Sequence, residues 1–411
     1  MKSSIENYTE RLRQKTNYWV VNNDSNFFQE LYNPFGKKNV PIMCDFLGNY
    51  DFPSFEAYES GNRSILFRDK GSWFKAKGIG IPTGVSRPFY DKGKIYTHQL
   101  YDDPGMCHRF ILWGFMQKQE FEAELFGAAR AKDLGQKIQL LGTAYFDHVY
   151  YMEVKDRTEL FRKLRSVRRK TLINSFKQDG IKTRAFTVFY HVPSDIRVGE
   201  LFFVFMFPRI TELIDSEMIK EYVEWLGSSC GRLLRQFHEM GALHGTWVGD
   251  RTTSLGLKDV HSNSYTGNYL VDEEGLTMCD FDLSKPIEKE SEKELEKWAL
   301  VHIENPLYYA GSYTPDDALK QKMAKKNPFR EELAKIFEAS VDTGYDEEII
   351  EVEYTVKRDM LGYLVKAKEL MWNLYRLPKD IVGQIDYVDY VISNTTIESK
   401  EFGEVISAFE R

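Results

Sequence analysis

Apolar and polar residues alternate in short bursts through the first half of the chain. From about Asp45 to Gln99 three segments stand out: SILFRD (64–69), WFKAKGIGI (73–81) and GKIYTHQL (93–100). Each is rich in β-forming residues and bounded by Gly or Pro, which predicts strands. The pattern changes in MQKQEFEAELFGAARAKDLG (116–135), where Ala, Glu and Leu dominate and Gly135 ends the run, which predicts a helix. Strand composition returns in LLGTAYFDHVYYMEV (140–154). ELFRKLRSVRRKTLINSF predicts a basic helix over about 158–176, its charges suited to a solvated face. TRAFTVFYHV (183–192) and ELFFVFMF (200–207) predict a second block of strands.

Beyond this point helical periodicity takes over. MIKEYVEWLGSSCGRLLRQFHEMG (218–241) repeats its apolar residues at helical spacing and stops at Gly. NYLVDEEGLTMCDFDLS (268–284) predicts a hairpin turning at DEEG, and 290–411 is mostly helical and charged. Residues 1–44 form a mixed, helical or irregular extension. Strands with one helix, followed by a helical half, predict an α+β chain of two lobes (about 45–195 and 196–411) and not a regular βαβα alternation.

Composition agrees with this picture and narrows the partners. A length of 411 residues gives a prior of two or three domains. The hydrophobic share of 42% and aromatic share of 14% can supply a large core, which excludes a disordered or collagenous chain. Lys+Arg at 55 against Asp+Glu at 62 leaves a net charge of −7, so nucleic acid is not an expected partner. No window reaches the roughly 18 uninterrupted apolar residues of a span, so no membrane is expected either. The first twenty residues lack an apolar signal core. Cys44, Cys107, Cys230 and Cys279 form no CxxC or zinc spacing, which suits reduced thiols and a cytoplasmic location.

The strongest local chemistry lies in HSNSYTGNYLVDEEGLTMCDFDLS (261–284). A tight hairpin brings its two ends together, so Asn268 and Asp280 can offer two oxygens to one point. Mg²⁺ accepts one or two protein oxygens and completes its shell with water and phosphate. The competing reading is an ordinary surface hairpin. His98, His108, His148 and His302 show no ligand spacing. On spacing alone Lys77 is a solvated strand lysine and Glu124 a helix-surface carboxylate.

This segment resembles the catalytic and metal loops of the protein-kinase fold, H-x-D-x-x-x-x-N followed by a hairpin and D-F-G. His261 stands at the His, Asn268 at the metal-binding Asn, and Asp280-Phe281-Asp282 at D-F-G; Asn263 replaces the catalytic Asp. Further segments resemble, in the same order, the selenoprotein O family, kinase-fold proteins that attach AMP to hydroxyl side chains. They are SGNR (60–63), KGIGIPTGVSR (77–87), ELFGAARAKDLG (124–135), PSDIRVGELFF (193–203) and MGALHG (240–245).

The resemblance implies a protein-kinase-like two-lobed fold with ATP and Mg²⁺ (or Mn²⁺) between the lobes. It implies that Lys77 contacts phosphate and is held by Glu124, with Glu120 one turn earlier as a substitute. Arg197 clamps phosphate, while Tyr190 and His191 stand where the family has a second arginine. Arg63, Asp91 and Gly93 match nucleotide-contacting positions, and Asn268 and Asp280 hold metal. An insertion of about fifteen residues splits the catalytic loop. The base is therefore Asp250, or Asp259, or neither, the insert then being a specificity element. The expected reaction is AMP transfer to a hydroxyl on a protein or small molecule. A kinase-like phosphotransferase and a nucleotide-binding pseudoenzyme are the alternatives, the last favoured by Asn263, since an amide cannot take a proton from a hydroxyl.

Overall fold

A β-meander opens the described part of the chain: β1 Ala57–Glu59, β2 Ser64–Asp69 and β3 Ser72–Lys77. The structure, a computed structural model, describes residues 57–59, 64–69, 72–78, 89–91, 94–100, 111–112, 116–154, 181–205, 214–252, 258–303, 305, 307 and 329–362. The extension over 1–44, the basic helix expected at 158–176, the chain beyond 362, Arg63 and Gly93 lie outside the described residues. No described helix is long and apolar enough to cross a membrane. The fold is mixed helix and strand, α+β, and the chain divides into two compact units.

The first unit comprises 1–132, 137–193 and 248–259. After the meander come β4 Phe89–Asp91, β5 Lys94–Leu100, β6 Ile111–Leu112, α1 Lys118–Asp133, β7 Gln139–Val154 and β8 Ile181–Val192. The sheet runs β1-β2-β3-β8-β7-β5-β4, with β6 also on β5. Only the β5–β7 pair is parallel among these described pairings. In β3, Lys75 lies opposite Tyr190 and Lys77 opposite Val188. Directly opposed residues share a face of the sheet. That face is buried through Leu66, Lys75, Lys77, Val188 and Tyr190, and α1 buries Glu120, Glu124, Gly127, Ala128 and Ala131. Phe121 of α1 stacks on Phe186 of β8 at 4.6 Å, which places the helix against the sheet.

The second unit comprises 133–136, 194–247 and 260–411. It contains α2 Val198–Phe205, α3 Ser216–Glu239, β9 Ala242–Leu243, β12 Tyr269–Val271, β13 Leu276–Met278, β14 Lys285–Pro286, α4 Glu290–His302 and α5 Arg330–Tyr345. The period of α3 is plain: Ile219, Tyr222, Val223, Leu226, Cys230, Leu234 and Phe237 are all buried, following i, i+3, i+4, i+7. Asp215 caps its start by accepting from the Glu217 amide at 3.0 Å.

Two segments depart from the sequence expectation. Residues 200–205 of ELFFVFMF are not a strand but part of the helix 198–205, and 206–207 lie outside the described residues. An all-apolar run carries no polar positions to reveal its period. The deciding feature is Glu200, whose Oε2 accepts from the Arg197 amide at 2.9 Å, the back-reach of a helix start. The stretch read as an insertion is not an open loop either where it is described. It is a two-stranded ribbon of β10 Thr246–Thr252 and β11 Lys258–Ser262, whose outer part belongs to the first unit.

Candidate functional site

In the first unit, the last residue of β3 meets the second turn of α1. Lys77 Nζ donates to Glu124 Oε2 at 2.6 Å, and both side chains are 1% exposed. Glu124 is held at its other oxygen too, because Tyr190 Oη donates to Oε1 at 3.1 Å. Of the two carboxylates considered from spacing, Glu124 is the partner; Glu120 accepts instead from the Gln117 amide at 3.0 Å, near the helix start. Lys77 is therefore not a solvated lysine, nor Glu124 a surface carboxylate. A buried ammonium is tolerated only when paired. A lysine aimed by a fixed carboxylate is a positioned positive charge of the type that phosphate chemistry uses.

In the second unit, Asp272 makes the hairpin. Its Oδ1 accepts from the amides of Glu274 and Gly275 at 2.8 Å each, closing the DEEG turn. At the open end, Cys279 N–H donates to the Asn268 carbonyl at 2.9 Å, so Asn268 and the Cys279–Asp280 segment are neighbours. Asp280 has φ +69°, a left-handed backbone that costs a non-glycine residue about 1–2 kcal/mol. Strain kept at a carboxylate is a pointer to a functional position.

The amide of Asn263 spends both of its protons here. Nδ2 donates to the Asp280 carbonyl at 2.6 Å and to Asp282 Oδ1 at 2.8 Å. The Asn263 carbonyl accepts from Asn268 Nδ2 at 3.1 Å. Asn263 thus ties the loop before the hairpin to the segment after it.

Arg197 reaches the same place by backbone pairing. It forms an isolated bridge with Leu270, and Val271 N–H donates to the Ile196 carbonyl at 2.9 Å. Gly199 permits the approach: a Cβ there would lie 3.1 Å from Thr266 Oγ1 and 3.3 Å from Gly267 N. Arg197 Nη1 donates to the Gly267 carbonyl and, at 3.1 Å, to Asn268 Oδ1. Burial opposes the guanidinium charge, but Cys279, Tyr265, Glu200 and Asp280 outweigh it and raise the pKa above the ordinary value.

A support that sequence reasoning missed lies beneath. Glu296 of α4, fully buried, accepts from the amides of His244 and Gly245, from Thr246 Oγ1 and from His238 Nε2. The His244 ring bonds through Nε2 to the Cys279 carbonyl at 2.9 Å. His244, in the LHG segment, therefore braces the residue before Asp280. His261, matched in the sequence to the histidine of the kinase-fold loop, has its side chain outside the described residues.

The remaining expected residues are placed by backbone alone. Asp91 is in β4 opposite Lys94, Asp250 in β10 and Asp259 in β11. The structure brings together Lys77 with Glu124, and separately Arg197, Asn263, Asn268 and Asp280. Among the described residues no group of three or more His, Cys, Asp or Glu is placed to hold a metal. A hard cation at the hairpin mouth would have Asn268 and Asp280 as protein donors, a set that suits Mg²⁺ completed by water and phosphate. It fits once the Asn268 oxygen gives up its bond to Arg197. No protein-family model matches this chain, and no curated protein matches its sequence.

Proposed function

We propose that the chain is an ATP-dependent transferase of protein-kinase-like, two-lobed architecture that moves AMP from ATP to a hydroxyl group. The observation that carries this is the Lys77–Glu124 pair, wholly buried, between the third strand of a meander and the following helix. A lysine on such a strand paired with a helix glutamate is what kinase-type sites use to orient phosphates. The Asn268–Asp280 hairpin mouth supports it, with Mg²⁺ or Mn²⁺ neutralising phosphate charge when bound. Arg63, Asp91, Gly93 and Arg197 are assigned to the nucleotide by resemblance. AMP transfer is preferred to phosphotransfer because KGIG…SR and IRVG are segments of the AMP-transferring family and not of ordinary kinases.

In the reaction the acceptor oxygen bonds to the α-phosphorus while the bond to the bridging oxygen of the β-phosphate breaks, and pyrophosphate leaves. The hydroxyl proton passes to a carboxylate, Asp250 or Asp259 of the ribbon. A second reading, a nucleotide-binding pseudoenzyme, is favoured by Asn263, whose amide stands in place of the base and is committed to Asp280 and Asp282.

Incubation with Mg²⁺ and ATP labelled at the α- or the γ-phosphate tests these readings. Label from α alone in an acceptor supports AMP transfer, and label from γ alone a phosphotransferase. Nucleotide binding without transfer or turnover supports the pseudoenzyme. A chain that binds no nucleotide under any of these conditions ends the proposal.

A further inference from the structure

We infer that Arg197 is the resident cation of the Asn268 site, and that a divalent cation binds there only in competition with it; the inference rests on the metal reading of Asn268 and Asp280 given above. Arg197 is delivered by the bridge to Leu270 and the close approach at Gly199, not by a freely swinging side chain. Its Nη1 spans the two adjacent acceptors at the hairpin mouth, the Gly267 carbonyl and Asn268 Oδ1. Asn268 cannot turn that oxygen elsewhere cheaply. Its Nδ2 is held by the Asn263 carbonyl at 3.1 Å and its backbone N–H by the Tyr265 carbonyl at 2.9 Å. Flipping the amide would set an NH₂ group against the guanidinium, donor on donor.

A divalent ion on that oxygen displaces a charge-assisted hydrogen bond and sits beside a fixed positive charge, and both oppose it. A triphosphate relieves both, since its oxygens can take over the guanidinium. The metal therefore enters with the nucleotide and not before it.

Mn²⁺ titration followed by electron paramagnetic resonance, without nucleotide, tests this on the full chain. Arg197→Gln is expected to bind Mn²⁺ about tenfold more tightly than wild type, the cost of one charge-assisted hydrogen bond. Adding Asn268→Ala to that variant should abolish the gain. Arg197→Lys keeps the charge and should stay as weak as wild type. Tight binding by the Lys variant overturns the inference, and this arm carries the test if the Gln variant does not fold. An unchanged affinity in Arg197→Gln, with binding still lost on Asn268→Ala, overturns the inference and leaves the metal reading standing. Mn²⁺ bound by neither protein, with or without ATP, overturns both.

Discussion

Lys77 illustrates how a buried charge is kept and what its partners are worth. Both oxygens of Glu124 are engaged, one by the ammonium and one by the Tyr190 hydroxyl. Removing a single member of a buried pair strands the other, at about 3–5 kcal/mol, whereas replacing both by apolar groups of similar shape is often close to neutral. Glu124→Leu and Lys77→Met should each lower stability by that amount in denaturant titrations, and the double variant should lie nearer to wild type than either. Simple additivity of two small effects would mean that the pair is not buried as described. Tyr190→Phe removes one donor from the paired carboxylate and should cost about 1.5–3 kcal/mol. At Asp280 the backbone decides: with φ at +69°, Gly fits without strain and Ala does not. Asp280→Ala should melt below Asp280→Gly, by about 1 kcal/mol at the low end of the left-handed penalty. Both variants should lose metal-dependent nucleotide binding. Retention of that binding in both would dissociate the strained carboxylate from the proposed site.

Helix α4 and the α3–α5 crossing depend on one residue each. Glu292 lies in the first turn of α4, where its Oε2 accepts from the amides of Glu288 and Lys289 at 2.9 Å each and its Oε1 from Lys285. Burial pushes its carboxyl up, but these three donors outweigh burial and leave it below the ordinary value of 4.5. A depressed carboxyl stabilises above its unfolded value, and that contribution is lost as pH falls through the folded value. Glu292→Gln should therefore cost about 1 kcal/mol at neutral pH, and the gap to wild type should close on acidification below about 4.5. A gap that widens in acid would contradict the assignment. At the crossing, a Cβ on Gly344 would lie 1.9 Å from the Ser228 carbonyl oxygen. Ala gains at most about 1 kcal/mol of helix propensity over Gly, while overpacking against backbone costs about 1–3 kcal/mol or more. Gly344→Ala should thus lower the melting temperature, not raise it. At this scale the sequence was readable where a period or a turn residue was explicit, as in SILFRD, in α3 and at Asp272. It failed at 200–205, where the residues after Glu200 carry no polar marker and the Glu200 back-reach was the sole cue, and at 246–252 and 258–262, where TWVGDRT and KDVHS are too polar to announce a ribbon.

Across the whole molecule, the residues of the candidate site come from distant parts of the sequence and are held by groups that periodicity does not flag. The Lys77–Glu124 pairing was legible from the motif resemblance alone, and the closeness of Asn268 to the Cys279–Asp280 segment from the hairpin. Glu296 was not, because ESEKELEKWALVH reads as a charged, solvated helix. Its position gives it away only afterwards: Ala299 and Leu300, three and four residues on, are buried on the same stripe. One carboxylate there organises α3, α4, α5 and the loop beginning at His244. A carboxylate only accepts, so His238 Nε2 donates to it, and Nδ1 makes a hydrogen bond with Tyr345 Oη at 2.7 Å. Burial, reinforced by Glu294 and Glu290, pushes the Tyr345 phenol up to about 12, so it keeps its proton through the neutral range. Glu296→Gln keeps the shape but offers one oxygen and an NH₂ to four donors, and buried donors left unpaired cost about 1–3 kcal/mol each. The variant should lose several kcal/mol, and amide hydrogen exchange should quicken first at His244, Gly245 and Asn263, whose own amide donates to the Gly245 carbonyl at 2.7 Å. If exchange at those amides is unchanged in Glu296→Gln, the loop that carries His244 toward Cys279 is held by something other than this carboxylate.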